Sequence, residues 1–190
     1  MTASLNGHVE VVDKLLQHGA TVDLKEKDGW SSLMTASQNG HVEVVDKLLQ
    51  HGATVDLKEK DGRSSLMTAS QNGHVEVVDK LLQHGATVDL KEKDGWSSLY
   101  AASQNGHVEV VDKLLQHGAT VDLQTEDGWS SLMTASLNGH VEVVDKLLQH
   151  GATVDLKEKD GWSSLMTASL NGHVEVVDKL LQHGATVDLK

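Results

Sequence analysis

Histidine and glutamate recur together along this chain, a combination that calls for a test of metal and acid-base chemistry. Twelve histidines fall into two sets, His41 with its copies and His51 with its copies. His41 and Glu43 are two residues apart, so on a helix their side chains face different directions. No His-Glu-x-x-His run exists to place two imidazoles over one zinc ion. There is no Cys, hence no thiolate metal site and no cysteine nucleophile. Ser31-Ser32 lacks the strand-to-helix turn that exposes a nucleophilic serine. The glycines are spaced as helix ends and turns, without the Gly-x-Gly-x-x-Gly or Gly-Lys-Ser/Thr loops that cradle phosphate. Acidic residues recur in every copy of the pattern, whereas a catalytic site needs one copy of itself. The expectation is a protein with no catalytic residues, no metal and no cofactor.

Charge narrows the partners. Sixteen Lys and Arg against 28 Asp and Glu give a net charge of −12 over 190 residues. A phosphate backbone needs clustered positive charge, so nucleic acid is not an expected partner. Anionic membrane surfaces are disfavoured on the same ground. No apolar run is long enough to span a bilayer, and no signal peptide is visible. The excess acid favours basic or neutral partners over acidic ones.

The elements that would position any of these residues follow from self-similarity. Asp-Gly recurs at Asp28-Gly29, Asp61-Gly62, Asp94-Gly95, Asp127-Gly128 and Asp160-Gly161, in steps of 33 residues. Asn-Gly-His and Gln-His-Gly-Ala-Thr-Val-Asp-Leu recur in the same register, the last copy of the latter running from Gln182 to Leu189. The chain therefore divides into a partial repeat 1–27, repeats 28–60, 61–93, 94–126 and 127–159, and a nearly complete repeat 160–190, together one domain over 1–190.

Residues 28–60 show how one unit is built. Ser31 or Ser32 can cap a short helix over Leu33 to Gln38, and Asn39-Gly40 ends it. A second helix from about His41 to His51 carries Val44, Val45, Leu48 and Leu49 as one apolar stripe. Glu43 stands four residues before Lys47, a helical ion pair worth about 0.3 kcal/mol. Gly52 stops this helix. Ala53 to Gly62 reads as an extended arm and turn, with Val55 and Leu57 alternating inward. The charged run Lys58-Glu59-Lys60-Asp61 reads as a solvated hairpin tip. Two helices this short do not persist alone in water. Stacking copies side by side covers each stripe with the next, and Ala36, Ser37 and Ala53 are small enough for close approach. The expected fold is all-α, an α-solenoid of stacked helix-turn-helix units with hairpin loops along one edge.

These residues resemble the ankyrin repeat. Asp28-Gly29, Leu33, Ala36, Asn39-Gly40-His41, Glu43-Val44-Val45, Leu48-Leu49 and Gly52-Ala53 fall where that family's pattern places Asp-Gly, Leu, Ala, Gly-His, Glu-Val-Val, Leu-Leu and Gly-Ala, and the period agrees. The resemblance covers the whole chain. It implies a non-catalytic protein-protein interaction scaffold, binding a partner protein or peptide through the concave face of hairpins and first helices, and an intracellular (cytoplasmic) residence. It also implies that His41 orders the turn between helices. The family's Thr-Pro-Leu-His stands here as Ser31-Ser32-Leu33-Met34. Losing the proline costs each repeat about 0.5 kcal/mol through the unfolded chain.

Internal comparison marks where function could sit. Arg63 replaces Trp30, Trp96, Trp129 and Trp162. Gln38, Gln71 and Gln104 alternate with Leu5, Leu137 and Leu170. Gln124-Thr125-Glu126 replaces Lys-Glu-Lys, and Tyr100-Ala101 replaces Met-Thr. The second helix never varies. Two readings stand: a contacting edge altered over a constant core, and drift at exposed sites. Trp is enriched in interface hot spots, and packed copies would set equivalent residues about 10 Å apart. The Trp row with Arg63 is thus the leading anchor for a partner, flanked by Gln38, Gln71, Gln104, Lys60 and Lys93. The competing reading has each indole covering the junction between its hairpin and first helix.

Met1 aligns with Met34, and Lys190 stops two residues short of the next Asp-Gly, so neither end carries a distinct polar cap. The chain reads as a segment of a longer array or as a designed one. Alternative roles are a structural spacer, or part of a larger protein whose activity lies elsewhere. Uncapped apolar ends imply self-association. Twelve protonated histidines would offset the −12, so association should rise on mild acidification.

Overall fold

A computed structural model describes residues 1–188; Leu189 and Lys190, the end of the last repeated arm, lie outside the described residues. The chain forms α1 (Thr2–Leu5), α2 (Val9–Gln17), α3 (Ser32–Gln38), α4 (Val42–Gln50), α5 (Ser65–Gln71), α6 (Val75–Gln83), α7 (Ser98–Gln104), α8 (Val108–Gln116), α9 (Ser131–Leu137), α10 (Val141–Gln149), α11 (Ser164–Leu170) and α12 (Val174–Gln182).

Local chemistry accounts for these boundaries. Ser31, not Ser32, is the N-cap of α3, and its hydroxyl accepts from the Met34 N–H at 3.3 Å. After Asn39, Gly40 turns to φ +72°, and the N–H groups of Gly40 and His41 reach back to the carbonyls of Ser37 and Ala36. This paired arrangement satisfies the orphan acceptors of a helix end. The same device closes α4 at Gly52. The second helix spans Val42–Gln50, so His41 and His51 flank it rather than belong to it.

The arm departs from the expected alternation. Leu57 N–H donates to the Thr54 carbonyl, making Val55–Asp56 a turn. Val55 packs on the core, and Leu57 is only half-buried. The Asp-Gly loops close as short hairpins, in which Glu59 N–H donates to the Arg63 carbonyl at 3.0 Å.

Each odd-numbered helix packs on the even-numbered helix that follows it and on the odd-numbered helices of adjacent pairs. The even-numbered helices also pack on one another, pair to pair. Among the described residues no substantial helix contact skips a pair. The stack is therefore one-dimensional. Its core is the continuous stripe begun by Val44, Val45 and Leu48, with Leu33 and Ala36 from the first helix, repeated down the chain. Val45, Val78, Val111 and Val144 are fully sealed.

Serines line the seam between first helices. The hydroxyls of Ser37, Ser70, Ser103, Ser136, Ser65, Ser98, Ser131 and Ser164 are buried without a hydrogen-bond partner among the described residues. Small side chains allow the helices to approach, and the unpaired hydroxyls are the energetic cost of using Ser rather than Ala.

Candidate protein-interaction surface

Polar rungs join each helix pair to the next, and they fix what the outer surface can display. Asp23 accepts from both the backbone N–H and the hydroxyl of Thr54, at 3.0 and 2.6 Å. The rung repeats as Asp56–Thr87, Asp89–Thr120, Asp122–Thr153 and Asp155–Thr186. His41 Nε2 lies 2.9 Å from the Leu5 carbonyl, with copies from His74 to Gln38, His107 to Gln71, His140 to Gln104 and His173 to Leu137. A carbonyl only accepts, so Nε2 carries the proton in this set. His51 Nδ1 instead faces the Lys47 carbonyl at 2.9 Å, so that set carries its proton on Nδ1. The two histidines of a repeat thus donate through opposite ring nitrogens. Among the described residues, no group of three or more His, Cys, Asp or Glu side chains is placed to hold a metal ion.

The second helices carry an ion-pair ladder unlike the expected one. Lys47 on α4 pairs with Asp13 on α2, the second helix of the preceding pair, at 3.3 Å, and not with Glu43 on its own helix. Lys80–Asp46, Lys113–Asp79, Lys146–Asp112 and Lys179–Asp145 repeat the contact at 2.8–3.0 Å. Asp46 also accepts from Gln50 at 3.2 Å, so one carboxylate serves its own helix and the next.

The charged hairpin run is also more than a solvated tip. Glu59 is buried, and its Oε1 accepts from the N–H groups of Asp61 at 3.0 Å and Arg63 at 2.9 Å. Glu92 holds Asp94 and Trp96 in the same way, and Glu158 holds Asp160 and Trp162. Lys25 Nζ donates to the Lys58 carbonyl, Lys58 to Lys91 and Lys91 to Gln124. Backbone bonds tie successive tips together, Lys60 N–H to Asp28 and Lys93 N–H to Asp61.

The exceptional repeat keeps these rungs with different side chains. Gln124 Nε2 donates to the Lys157 carbonyl at 3.1 Å where lysine does so elsewhere. Thr125 Oγ1 accepts from the Trp129 N–H at 3.1 Å in place of glutamate. Glu126 has no such substitute role. It stands beside Asp94, donating its N–H to the Asp94 carbonyl, where Lys93 meets Asp61 at 3.3 Å. These junctions were invisible to local pattern reading because they link residues 31 to 36 apart. The available signal was the constancy of Asp23, Thr54, His41 and Lys47 in every full copy.

The residues selected by comparing repeats sit at both ends of the first helices, Trp30, Arg63, Trp96, Trp129 and Trp162 before them and Gln38, Gln71 and Gln104 at their last position. Trp30, Trp96 and Trp129 are half-buried, Trp162 is 40% exposed, and Arg63 is exposed. Gln38 and Gln71 are exposed and Gln104 half-buried, while their carbonyls receive the histidine rungs. Lys60 and Lys93 are exposed and pair loosely with Asp28 and Asp61, at 3.9 and 3.3 Å. Trp96 packs on Tyr100 with ring centroids 4.9 Å apart, tilted by 50°. Burial pushes the Tyr100 hydroxyl above its ordinary pKa, and a hydrogen bond with Thr134 partly opposes that shift.

A pile of helix pairs with hydrogen-bonded hairpins along one edge, its backbone constant and its edge side chains variable, defines a helical-repeat scaffold. The chain belongs to the ankyrin-repeat family. The family model for ankyrin repeats (3 copies) matches residues 1–94, 53–125 and 99–190. No curated protein matches the chain. Ankyrin repeats are in general protein-interaction modules and typically lack enzymatic activity. Among the described residues, no helix is long and apolar enough to cross a membrane.

Proposed function

We propose that this chain works as one recognition domain over 1–190, binding a protein or peptide inside the cell through its hairpin and first-helix face. Trp30, Arg63, Trp96, Trp129 and Trp162 are the anchors. Gln38, Gln71, Gln104, Lys60 and Lys93 flank them. One observation carries the reading. The backbone at Arg63, Trp96, Trp129 and Trp162 is clamped by a side chain four residues upstream, while the side chain displayed there changes from Trp to Arg. Such a frame holds contact residues at little entropic cost on binding. The exposed acid at Asp94 and Glu126 and the net charge of −12 favour a basic or neutral partner.

The half-burial of Trp30, Trp96 and Trp129 favours a second reading, in which the indoles seal the hairpin junctions of a structural spacer. One experiment separates the two. A displayed library of random peptides is selected on the wild-type chain and then rebound to a Trp96→Ala/Trp129→Ala variant. The recognition reading expects the selected peptides to be lost from the variant while its melting temperature moves little. Equal binding to both chains, or a large fall in melting temperature, supports the spacer.

A further inference from the structure

We infer that Thr125 is a phosphorylation site, and that its phosphate takes the place a glutamate carboxylate holds in the neighbouring hairpins. The hairpins closed by Arg63, Trp96 and Trp162 are each held by an anion. Glu59 accepts from the N–H groups of Asp61 and Arg63, Glu92 from those of Asp94 and Trp96, and Glu158 from those of Asp160 and Trp162. Thr125 stands at the same repeat position. Its hydroxyl accepts from the Trp129 N–H alone, and the Asp127 N–H has no acceptor among the described residues. The fold keeps one half of an anion clamp there and leaves the other half open.

Covalent structure fits a phosphothreonine to that clamp. From the Cβ of glutamate, Cγ and Cδ lead to Oε1. From the Cβ of threonine, Oγ1 and phosphorus lead to a phosphoryl oxygen, the same number of bonds away. A phosphate adds about 1.5–2 negative charges and three acceptor oxygens, so one oxygen can serve Asp127 and another Trp129. Hydrogen bonds to an anion are shorter and stronger than those to a neutral hydroxyl. Two cations stand beside the hairpin: Lys91, whose ammonium holds the Gln124 carbonyl at 2.6 Å, and Lys159, 3.9 Å from Asp127. They oppose the repulsion from Asp94, Glu126 and Asp127, which are exposed and therefore screened by solvent and salt.

Surroundings set this hydroxyl apart from others in the repeats. The arm threonines Thr87 and Thr120 donate their hydroxyl hydrogens to Asp56 and Asp89, and capping serines such as Ser97 and Ser130 are buried. Thr125 is half-buried on a hairpin, and its hydroxyl hydrogen has no acceptor among the described residues. Exposed Glu126 and Asp127 follow it, which suits a protein kinase whose basic side chains read acid after the acceptor. The open half of the clamp also lowers the cost of unpairing the hairpin to enter that enzyme. In the transfer, Oγ1 attacks the terminal phosphorus of a nucleoside triphosphate. The Oγ1–P bond forms and the phosphoanhydride bond to the leaving nucleoside diphosphate breaks, while the hydroxyl proton passes to the kinase's base.

The test uses the whole chain, ATP and a threonine kinase that requires acid after its acceptor, chosen because it labels the free peptide 119–130. Tandem mass spectrometry locates the phosphate. Amide hydrogen exchange, resolved at single residues, reads Asp127 in the wild type, in its phosphorylated form, in Thr125→Glu and in Thr125→Val. Phosphate is expected on Thr125 of the wild type and absent from that position in Thr125→Val. Exchange at Asp127 should slow by about tenfold or more in the phosphorylated chain and in Thr125→Glu, toward the rate at Asp94. Helical circular dichroism should not change. A folded chain left unlabelled at Thr125 overturns the inference. So does a phosphate on Thr125 that leaves Asp127 exchanging as before or melts the helices. Unchanged exchange in Thr125→Glu overturns it too, because the position then makes no anion clamp.

Discussion

The imidazole of His74 lies over Gly40 while donating from Nε2 to the Gln38 carbonyl at 2.9 Å. A Cβ placed on Gly40 would sit 2.7 Å from His74 Nδ1. Asn-Gly-His is therefore a lock and its keyhole in neighbouring repeats: the glycine of one receives the histidine of the next.

That relationship makes two otherwise similar glycines unequal. Gly40 and Gly52 both follow a helix, at φ +72° and +82°. Alanine at either position incurs the left-handed penalty of about 1–2 kcal/mol. Nothing lies within 4 Å of a Cβ on Gly52, so Gly52→Ala should incur that penalty alone. Gly40→Ala must also displace His74 and should cost at least about 1 kcal/mol more. Removing the ring relieves the clash, so Gly40→Ala/His74→Ala should cost less than the sum of its parts, with a coupling of about 0.5–3 kcal/mol. Urea unfolding of the four variants measures the cycle. Strict additivity would remove the lock.

How far the sequence reached follows from the range of each interaction. The helices, a serine cap at Ser31 or Ser32 and the glycine stops depend on residues within five positions of each other and were legible, and the fold selects Ser31. The stripe Val44, Val45, Leu48 and Leu49 implied that copies stack side by side, and these residues lie in the continuous core. The Glu43–Lys47 pair was read from spacing alone, and it lost to Asp13, which stacking brings to 3.3 Å from Lys47. Glu59 looked solvated because its run is charged. In the fold its carboxylate turns inward to two backbone N–H groups that nothing else in the hairpin satisfies. The displayed residues Trp30 and Arg63 were found by their variation, which locates an edge but names no partner.

Tyr100 gives the chain an alkaline limit that can be measured without ambiguity, because it is the sole tyrosine. Burial raises its pKa in the folded chain above the ordinary value of about 10. The folded state then holds the phenolic proton more tightly than the unfolded state. The stabilisation is complete below about pH 10 and falls as pH rises toward the folded value. Wild type should lose stability relative to Tyr100→Phe by up to about 1.4 kcal/mol per pH unit in that window. Below it the two curves should run parallel. Phenolate absorbance titrated in the native chain reads the shift directly. Half-ionisation at or below pH 10 would contradict it.

Two serines of one repeat should respond to alanine with opposite signs. The Ser97 hydroxyl accepts from the Tyr100 N–H at 3.2 Å and starts α7, so Ser97→Ala should cost about 1 kcal/mol. Ser103 sits near the end of α7, fully buried, with its hydroxyl unpaired among the described residues. Alanine there keeps nearly the same volume, removes a desolvated polar group and improves helix propensity. Ser103→Ala should therefore stabilise the chain by about 1 kcal/mol. Because a solenoid sums terms from its repeats and their junctions, adding Ser70→Ala and Ser136→Ala should extend the gain stepwise. Thermal and urea unfolding of the series checks both signs. A loss of stability in Ser103→Ala would show that the hydroxyl has a partner in solution.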